Sequence, residues 1–208
     1  QNEKQILDNF KGDISFKDVH FSYDDDTWVF KGLSFDVKAG ATVAIVGPTG
    51  AGKTSLINLI SRYYEFQKGA ILLDNRDIRS LDLDNLRTKI AVVLQDVFLY
   101  NTTVLENITL GNASISRDEV VESAKKVGVH EFIKQLPGGY DFEVKERGGV
   151  LSAGQRQLIS FLRAYVYKPQ LLILDEATSS IDTASEELIQ LATEKITQNR
   201  TSVIIAHR

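Results

Sequence analysis

Gly47-Pro48-Thr49-Gly50-Ala51-Gly52-Lys53-Thr54 follows the apolar run Ala41-Thr42-Val43-Ala44-Ile45-Val46 and precedes Ser55-Leu56-Ile57-Asn58-Leu59-Ile60. The octapeptide fits G-x-x-x-x-G-K-[ST]. Its flanks read as a strand that delivers a loop and a helix that leaves it, the context in which successive backbone amides converge on a phosphate. Gly47, Gly50 and Gly52 are expected to open backbone conformations closed to residues with a Cβ, lining a nest for α and β phosphates. Lys53 supplies a cation for the β and γ phosphates, and the Thr54 hydroxyl is a ligand for Mg²⁺. The expected contact set runs through Gly47, Pro48, Thr49, Gly50, Ala51, Gly52, Lys53, Thr54 and Ser55. By itself the loop indicates a nucleoside triphosphate and nothing finer.

The chain has 208 residues and is 43% hydrophobic, enough to bury the core of one α/β domain with a subdomain. Lys and Arg number 24 against 28 Asp and Glu, a net charge of −4 that lacks the basic footprint of a protein whose main partner is nucleic acid. The absence of cysteine excludes a disulfide scaffold and a Cys-ligated metal, and it fits a reducing compartment. There is no apolar run of about 18 residues and no signal-peptide pattern, so this stretch is not expected to span a bilayer. It holds no methionine, begins at Gln1 and stops just after the apolar run Val203-Ile204-Ile205-Ala206, so it is expected to be a piece of something longer, truncated at its C-terminal end.

Around the loop, Ile14-Ser15-Phe16 and Val19-His20-Phe21-Ser22-Tyr23 alternate with a slip at Lys17-Asp18, as a bulged antiparallel strand does, and Leu33 to Val37 alternates again. These predict a small β layer ahead of the loop. Apolar runs follow at 71–73 and 90–94, separated by a polar segment from Asp74 to Lys89. From 103 to 135 the pattern turns helical, with Ser116-Arg117-Asp118-Glu119 read as a capping box. Ser152 caps a further helix whose Leu158, Ile159, Leu162, Tyr165 and Val166 share a face. Leu171 to Leu174 and Val203 to Ala206 are continuous apolar runs of the kind that a strand buried on both faces requires.

Leu174-Asp175-Glu176 places two carboxylates at the carboxyl end of a buried strand, where such sheets bind ligands. Asp175 is positioned to hold Mg²⁺, directly or through water, and Glu176 to polarise an attacking water. Leu151-Ser152-Ala153-Gly154-Gln155 then stands where a helix begins. Taken together these motifs resemble the nucleotide-binding cassette of an ABC transporter, whose signature LSGGQ is matched except for Ala153. The resemblance covers essentially the whole chain. It implies an α/β fold, a P-loop NTPase ABC-cassette core with a mostly parallel sheet, an N-terminal antiparallel β layer and a helical subdomain of about 101–168 inserted in a RecA-like core. It also implies ATP and Mg²⁺ as cofactors, with Ser152, Gly154 and Gln155 facing the γ-phosphate held by a second cassette. Gln95 matches the Q-loop glutamine that touches Mg²⁺ and water, and His207 the switch histidine. Ser179-Ser180-Ile181-Asp182 matches the D-loop, and Tyr23 the aromatic residue that stacks on adenine. Read singly, these have ordinary explanations: a polar strand end, a surface histidine, a sheet aromatic. His20 and His130 lack companions at metal-ligand spacing and are read as structural or exposed, and Trp28 as packing near the adenine or simply in the sheet.

The segments 16–23, 95–100 and 103–108 resemble exporter cassettes, and Glu146-Arg147-Gly148-Gly149 resembles the exporter loop that meets intracellular helices, with Glu146 and Arg147 as coupling candidates. The resemblance implies an ATP hydrolase that powers export through a fused or associated transmembrane domain. It implies a second cassette, homo- or heterodimeric and head to tail, and a place on the cytoplasmic side of a membrane. Nucleic acid is not an expected partner. Two other classes are weighed: a soluble ABC ATPase acting on DNA or ribosomes, and a regulatory module that binds nucleotide without hydrolysis. A compact helical insertion between loop and signature, rather than a long coiled coil, argues against chromosome-type members, and Glu176 with His207 argues against the module.

Overall fold

The computed structural model describes residues 3–24, 27–146, 149–176 and 181–206. His207, Arg147, Ser179 and Ser180, named above as site residues, lie outside the described residues. From the N-terminus the elements are β1 (Ile14–Ser22), β2 (Trp28–Val37), β3 (Thr42–Val46), α1 (Lys53–Ile60), β4 (Lys68–Leu73), β5 (Arg76–Asp77), α2 (Leu83–Lys89) and β6 (Ile90–Val93). There follow β7 (Thr102–Thr103), α3 (Val104–Thr109), α4 (Arg117–Val127), α5 (His130–Gln135), β8 (Glu143–Val144), α6 (Ala153–Val166), β9 (Leu171–Asp175), α7 (Thr183–Ile196) and β10 (Thr201–Ala206). They form two compact units, one drawn from Gln1–Val92, Pro169–Glu176 and Asn199–Arg208, the other from Val93–Lys168 and Ala177–Gln198.

In the first unit, β1 buries Ile14 and Phe16 and leaves Lys17 and Asp18 exposed, as a strand with one wet face does. The pairing of β1 with β2 shifts register between Phe16 and Val19, and Asp18 stands at φ 48°. The predicted slip is therefore a bulge, and it returns Val19 and Phe21 to the core. Phe16 stacks on Phe35 across the pair at 4.5 Å, a contact worth about 0.5–1.5 kcal/mol beyond its buried area. The antiparallel sheet is larger than the β layer expected from the residues ahead of the loop. Its order is β2-β1-β4-β5, so half of its strands come from after the loop.

The other sheet of this unit runs β3-β10-β9-β6, with β3, β10 and β9 parallel. Leu171 to Leu174 of β9 are buried on both faces, as their unbroken apolar run demands. At the end of the sheet β3 differs. Val43 and Ile45 pack against the core, while Thr42, Ala44 and Val46 are exposed.

The second unit is helical. Helix α4 buries Val120, Ala124 and Val127 and ends on Gly128 at φ 87°, and α6 buries Leu158, Ile159, Leu162 and Val166. Ser116 caps α4 by accepting from the Glu119 amide at 3.1 Å, but the reciprocal half of the expected capping box is replaced. The Glu119 carboxylate pairs with Lys168 at 2.8 Å. The full box lies at α6, where Ser152 Oγ accepts from the Gln155 amide at 3.1 Å and Gln155 Oε1 accepts from the Ser152 amide at 3.0 Å.

Candidate nucleotide site

Strand register brings the chemistry of the first unit to one edge. Ile45, Ile205 and Asp175 lie at one level across β3, β10 and β9, and Val46 pairs with Ala206. The Glu176 amide donates to the Ile205 carbonyl at 3.0 Å, which carries the alignment one residue further. The loop that leaves β3 after Val46 and the Asp175-Glu176 pair therefore emerge together at the carboxyl edge of the sheet. Asp175 and Glu176 are both half-buried.

The loop closes onto α1 through Gly52, at φ 90° and with no side-chain cap. A Cβ there would sit 2.7 Å from Phe30 Cε1 and 2.9 Å from Val29 Cγ1, so glycine is needed for conformation and space alike. Leu56 is the residue whose amide returns to the Gly52 carbonyl, at 3.2 Å. The amides of Lys53, Thr54 and Ser55 thus precede the first intrahelical bond and mark an anion-binding helix start. Gly47 corrects the expectation: it is not in the left-handed region, and what it spares is a 3.3 Å approach to Ala51 Cβ. Lys53 is buried, its ammonium donating to the carbonyls of Gly47 and Pro48, and Thr54 is exposed at the start of the helix. Thr54 and Asp175 offer hard oxygen donors of the kind Mg²⁺ takes, alongside phosphate oxygens and water.

Tyr23 is 49% exposed. Its hydroxyl lies 2.9 Å from Ser55 Oγ and accepts from Asn58 Nδ2 at 2.9 Å. Ser55 is thus buried with its hydroxyl turned to Tyr23. Trp28 packs edge-on against His20 at 5.8 Å within the sheet. His130 bonds the Tyr140 hydroxyl at 2.8 Å, and burial pushes that phenol up to about 12.

The signature residues belong to the second unit. Ser152 and Gln155 satisfy each other at the start of α6, as described above. Gly154 faces α7, where a Cβ would stand 2.5 Å from Ser185 Cβ and 3.1 Å from Ile181 Cγ2. Asp182 caps α7, its Oδ2 accepting from the Ser185 amide at 3.0 Å. Gln95 is exposed in the same unit, beyond the end of β6.

Phe98, Leu99, Tyr100, Asn101 and Glu146 line an open groove of about 540 Å³, with Phe98 and Tyr100 each 54% exposed. Two residues missed in the sequence brace it. Asn107, wholly buried, accepts from the Tyr100 amide at 2.8 Å and donates to the Tyr100 and Thr103 carbonyls at 3.0 Å. Arg163 of α6 donates to the Asn107 carbonyl at 2.7 Å and to the Phe98 carbonyl at 3.3 Å, and burial lowers its guanidinium pKa.

A parallel sheet whose carboxyl edge carries a phosphate loop and a paired Asp-Glu defines a P-loop nucleoside-triphosphate-binding protein. The family model for ABC transporters matches residues 30–179, and the chain belongs to that family. It is 50% identical over 202 residues to a fatty acid ABC transporter ATP-binding/permease protein of Mycobacterium tuberculosis, covering 97% of this chain and 32% of that one. It is 44% identical over 205 residues to an ATP-dependent lipid A-core flippase of Saccharophagus degradans, covering 99% and 35%. A solved bacterial Atm1-family ABC exporter with ATP bound superposes with a TM-score of 0.87 at 40% identity, over 99% of this chain and 37% of that one. The chain thus spans about a third of the length of these relatives. Among the described residues no helix is long and apolar enough to cross a membrane.

Proposed function

We propose that this chain is the ATP-hydrolysing cassette of an exporter, working as a head-to-tail pair at the cytoplasmic face of a membrane and driving a transmembrane domain. The observation that carries hydrolysis is the register of β3, β10 and β9, which delivers the phosphate loop and Glu176 to one edge. The likeness to exporter ATP-binding/permease proteins favours export over the DNA- or ribosome-linked alternative.

Lys53 exchanges its bonds to the Gly47 and Pro48 carbonyls for β and γ phosphate oxygens, while the amides of the loop and of the α1 start hold the phosphate chain. Thr54 and Asp175 would hold Mg²⁺, with Gln95 a further candidate ligand through its likeness to the Q-loop, and the ion would supply charge neutralisation for the transferred phosphoryl group. Glu176 orients and deprotonates the attacking water, a role worth about 10²–10⁴-fold. His207 contacts the γ-phosphate, and Tyr23 stacks on adenine. Ser152, Gly154 and Gln155 complete the site of the facing cassette, where the α6 N-terminus adds a favourable dipole. The groove of Phe98, Tyr100 and Glu146 receives the transmembrane domain, Arg147 is a further coupling residue through its likeness to the exporter loop, and the stretch of about 101–168 is the helical subdomain inserted into the RecA-like core. The groove's aromatic lining and one carboxylate suit an amphipathic helix end.

Glu176→Gln is expected to bind ATP with unchanged affinity and to lose at least about 10²-fold in turnover. Turnover equal to the parent's removes Glu176 from the role of base. Lys53→Ala is expected to lose ATP binding in the same titration, and unaltered affinity removes the phosphate contact.

A further inference from the structure

Tyr23 is held in place from a helix distant in sequence. Ser55 and Asn58 stand three residues apart on α1 and so share a face, and both bond the Tyr23 hydroxyl at 2.9 Å. Asn58 does more through its backbone. The chain leaves α1 through Arg62 at φ 54°; the Asn58 carbonyl accepts the Tyr63 amide at 2.8 Å and the Leu59 carbonyl the Arg62 amide at 3.1 Å, a Schellman closure, and the Tyr64 amide also reaches the Asn58 carbonyl at 3.4 Å. That closure sets Tyr64 beside Tyr23, ring centroids 4.9 Å apart and planes at 90°. Phe21 stands against the same ring at 4.7 Å and 75°.

Tyr23 and Tyr64 are 49% and 48% exposed, so core burial does not account for their fixed orientation. Holding half-exposed rings in one orientation opposes side-chain entropy, and here hydrogen bonds and edge-to-face contacts offset it. The bonds run to the helix whose start carries the amides of the phosphate loop. The aromatic face and the phosphate nest are therefore set apart by a fixed stretch of α1.

We propose that Asn58 and Tyr64 are positioning residues for the nucleotide base: they fix the Tyr23 ring to α1, so that stacking and triphosphate binding are registered on one helix. This rests on the reading of Tyr23 as the base platform. Asn58→Leu and Tyr64→Leu are each expected to raise the Kd for ATP about three- to tenfold, and to leave the affinity for inorganic tripolyphosphate within about twofold, since only the base uses the ring. Asn58→Asp, which keeps the shape and removes the donor, replaces Asn58→Leu if that variant fails to fold. Tyr23→Leu is measured beside them. If Tyr23→Leu weakens ATP and the double variant of Asn58 and Tyr64 binds ATP like the parent, the positioning role is overturned and the platform reading stands. If Tyr23→Leu binds ATP like the parent, the platform reading fails and takes the inference with it. Equal losses for ATP and tripolyphosphate mean general damage to α1 and also overturn the proposal.

Discussion

Gly154 has no room for a methyl group. A Cβ would lie 2.5 Å from Ser185 Cβ and 2.9 Å from Ser185 Oγ, both in the helical unit. Gly154→Ala is expected to destabilise that unit by about 1–3 kcal/mol, seen as a lower denaturant midpoint at unchanged slope. Adding Ser185→Gly clears the obstacle and is expected to restore part of the loss, since the Ser185 amide that caps α7 is retained. A single variant as stable as its parent disproves the tight fit. The resemblance gives this glycine a nucleotide to face, and packing gives it a second reason to be small. The same doubling holds at Ser152 and Gln155, whose side chains already close a capping box. The box is legible in the motif, but the packing reason at Gly154 is not, because the neighbour that fills the space comes from about thirty residues further along the chain.

At the scale of elements, helix boundaries were the most readable, because caps are local chemistry: α4 and α6 begin where Ser116 and Ser152 place them, and α1 begins at the glycine that the loop motif requires. Sheet partners were not. The polar stretch after Leu73 reads as a connection, yet Asp74 and Asn75 at φ 46° and 63° make a tight turn that folds β5 back on β4. The pairing of β4 with β1 crosses the loop and α1, a long-range contact that periodicity does not encode. Helix α7 offers a test. Bonds from the Ser185 amide to the Asp182 carboxylate hold its pKa below the ordinary 3.8. A folded pKa below the unfolded one means that this stabilisation is present above the unfolded value and is lost as pH falls through the folded value. Acid titration below about pH 4 is expected to loosen the start of α7, whereas Asp182→Asn, an acceptor that does not titrate, is expected to remove that part of the pH dependence. Helicity or amide exchange of residues 183–186 reads it, and identical acid profiles rule out the cap as the cause.

For the whole molecule, the phosphate loop, the Asp175-Glu176 pair and the signature were all legible, since each is a short run with its own backbone logic. Arg163, Asn58 and Tyr64 were not, because their partners lie elsewhere in the chain, and Asn107 was not, because its bonds run to backbone groups that no side-chain pattern marks; only the three-residue spacing of Ser55 and Asn58 hinted at a shared face. Glu176→Gln with ATP is expected to sediment as a pair of chains, and a persistent monomer under saturating ATP counts against a site shared between copies. In the full-length protein, the double change Phe98→Ala and Tyr100→Ala is expected to leave ATP affinity within about twofold while lowering transport about tenfold or more, consistent with an anchor whose loss is felt at an interface. Transport equal to the parent's removes the groove from the docking surface. The starts of α6 and α7 pack closely at Gly154, so the Ser152 and Asp182 caps stand on neighbouring helix ends. A bulkier residue at position 154 is therefore expected to push the two helix starts apart, moving the Ser152 and Asp182 caps together rather than one at a time.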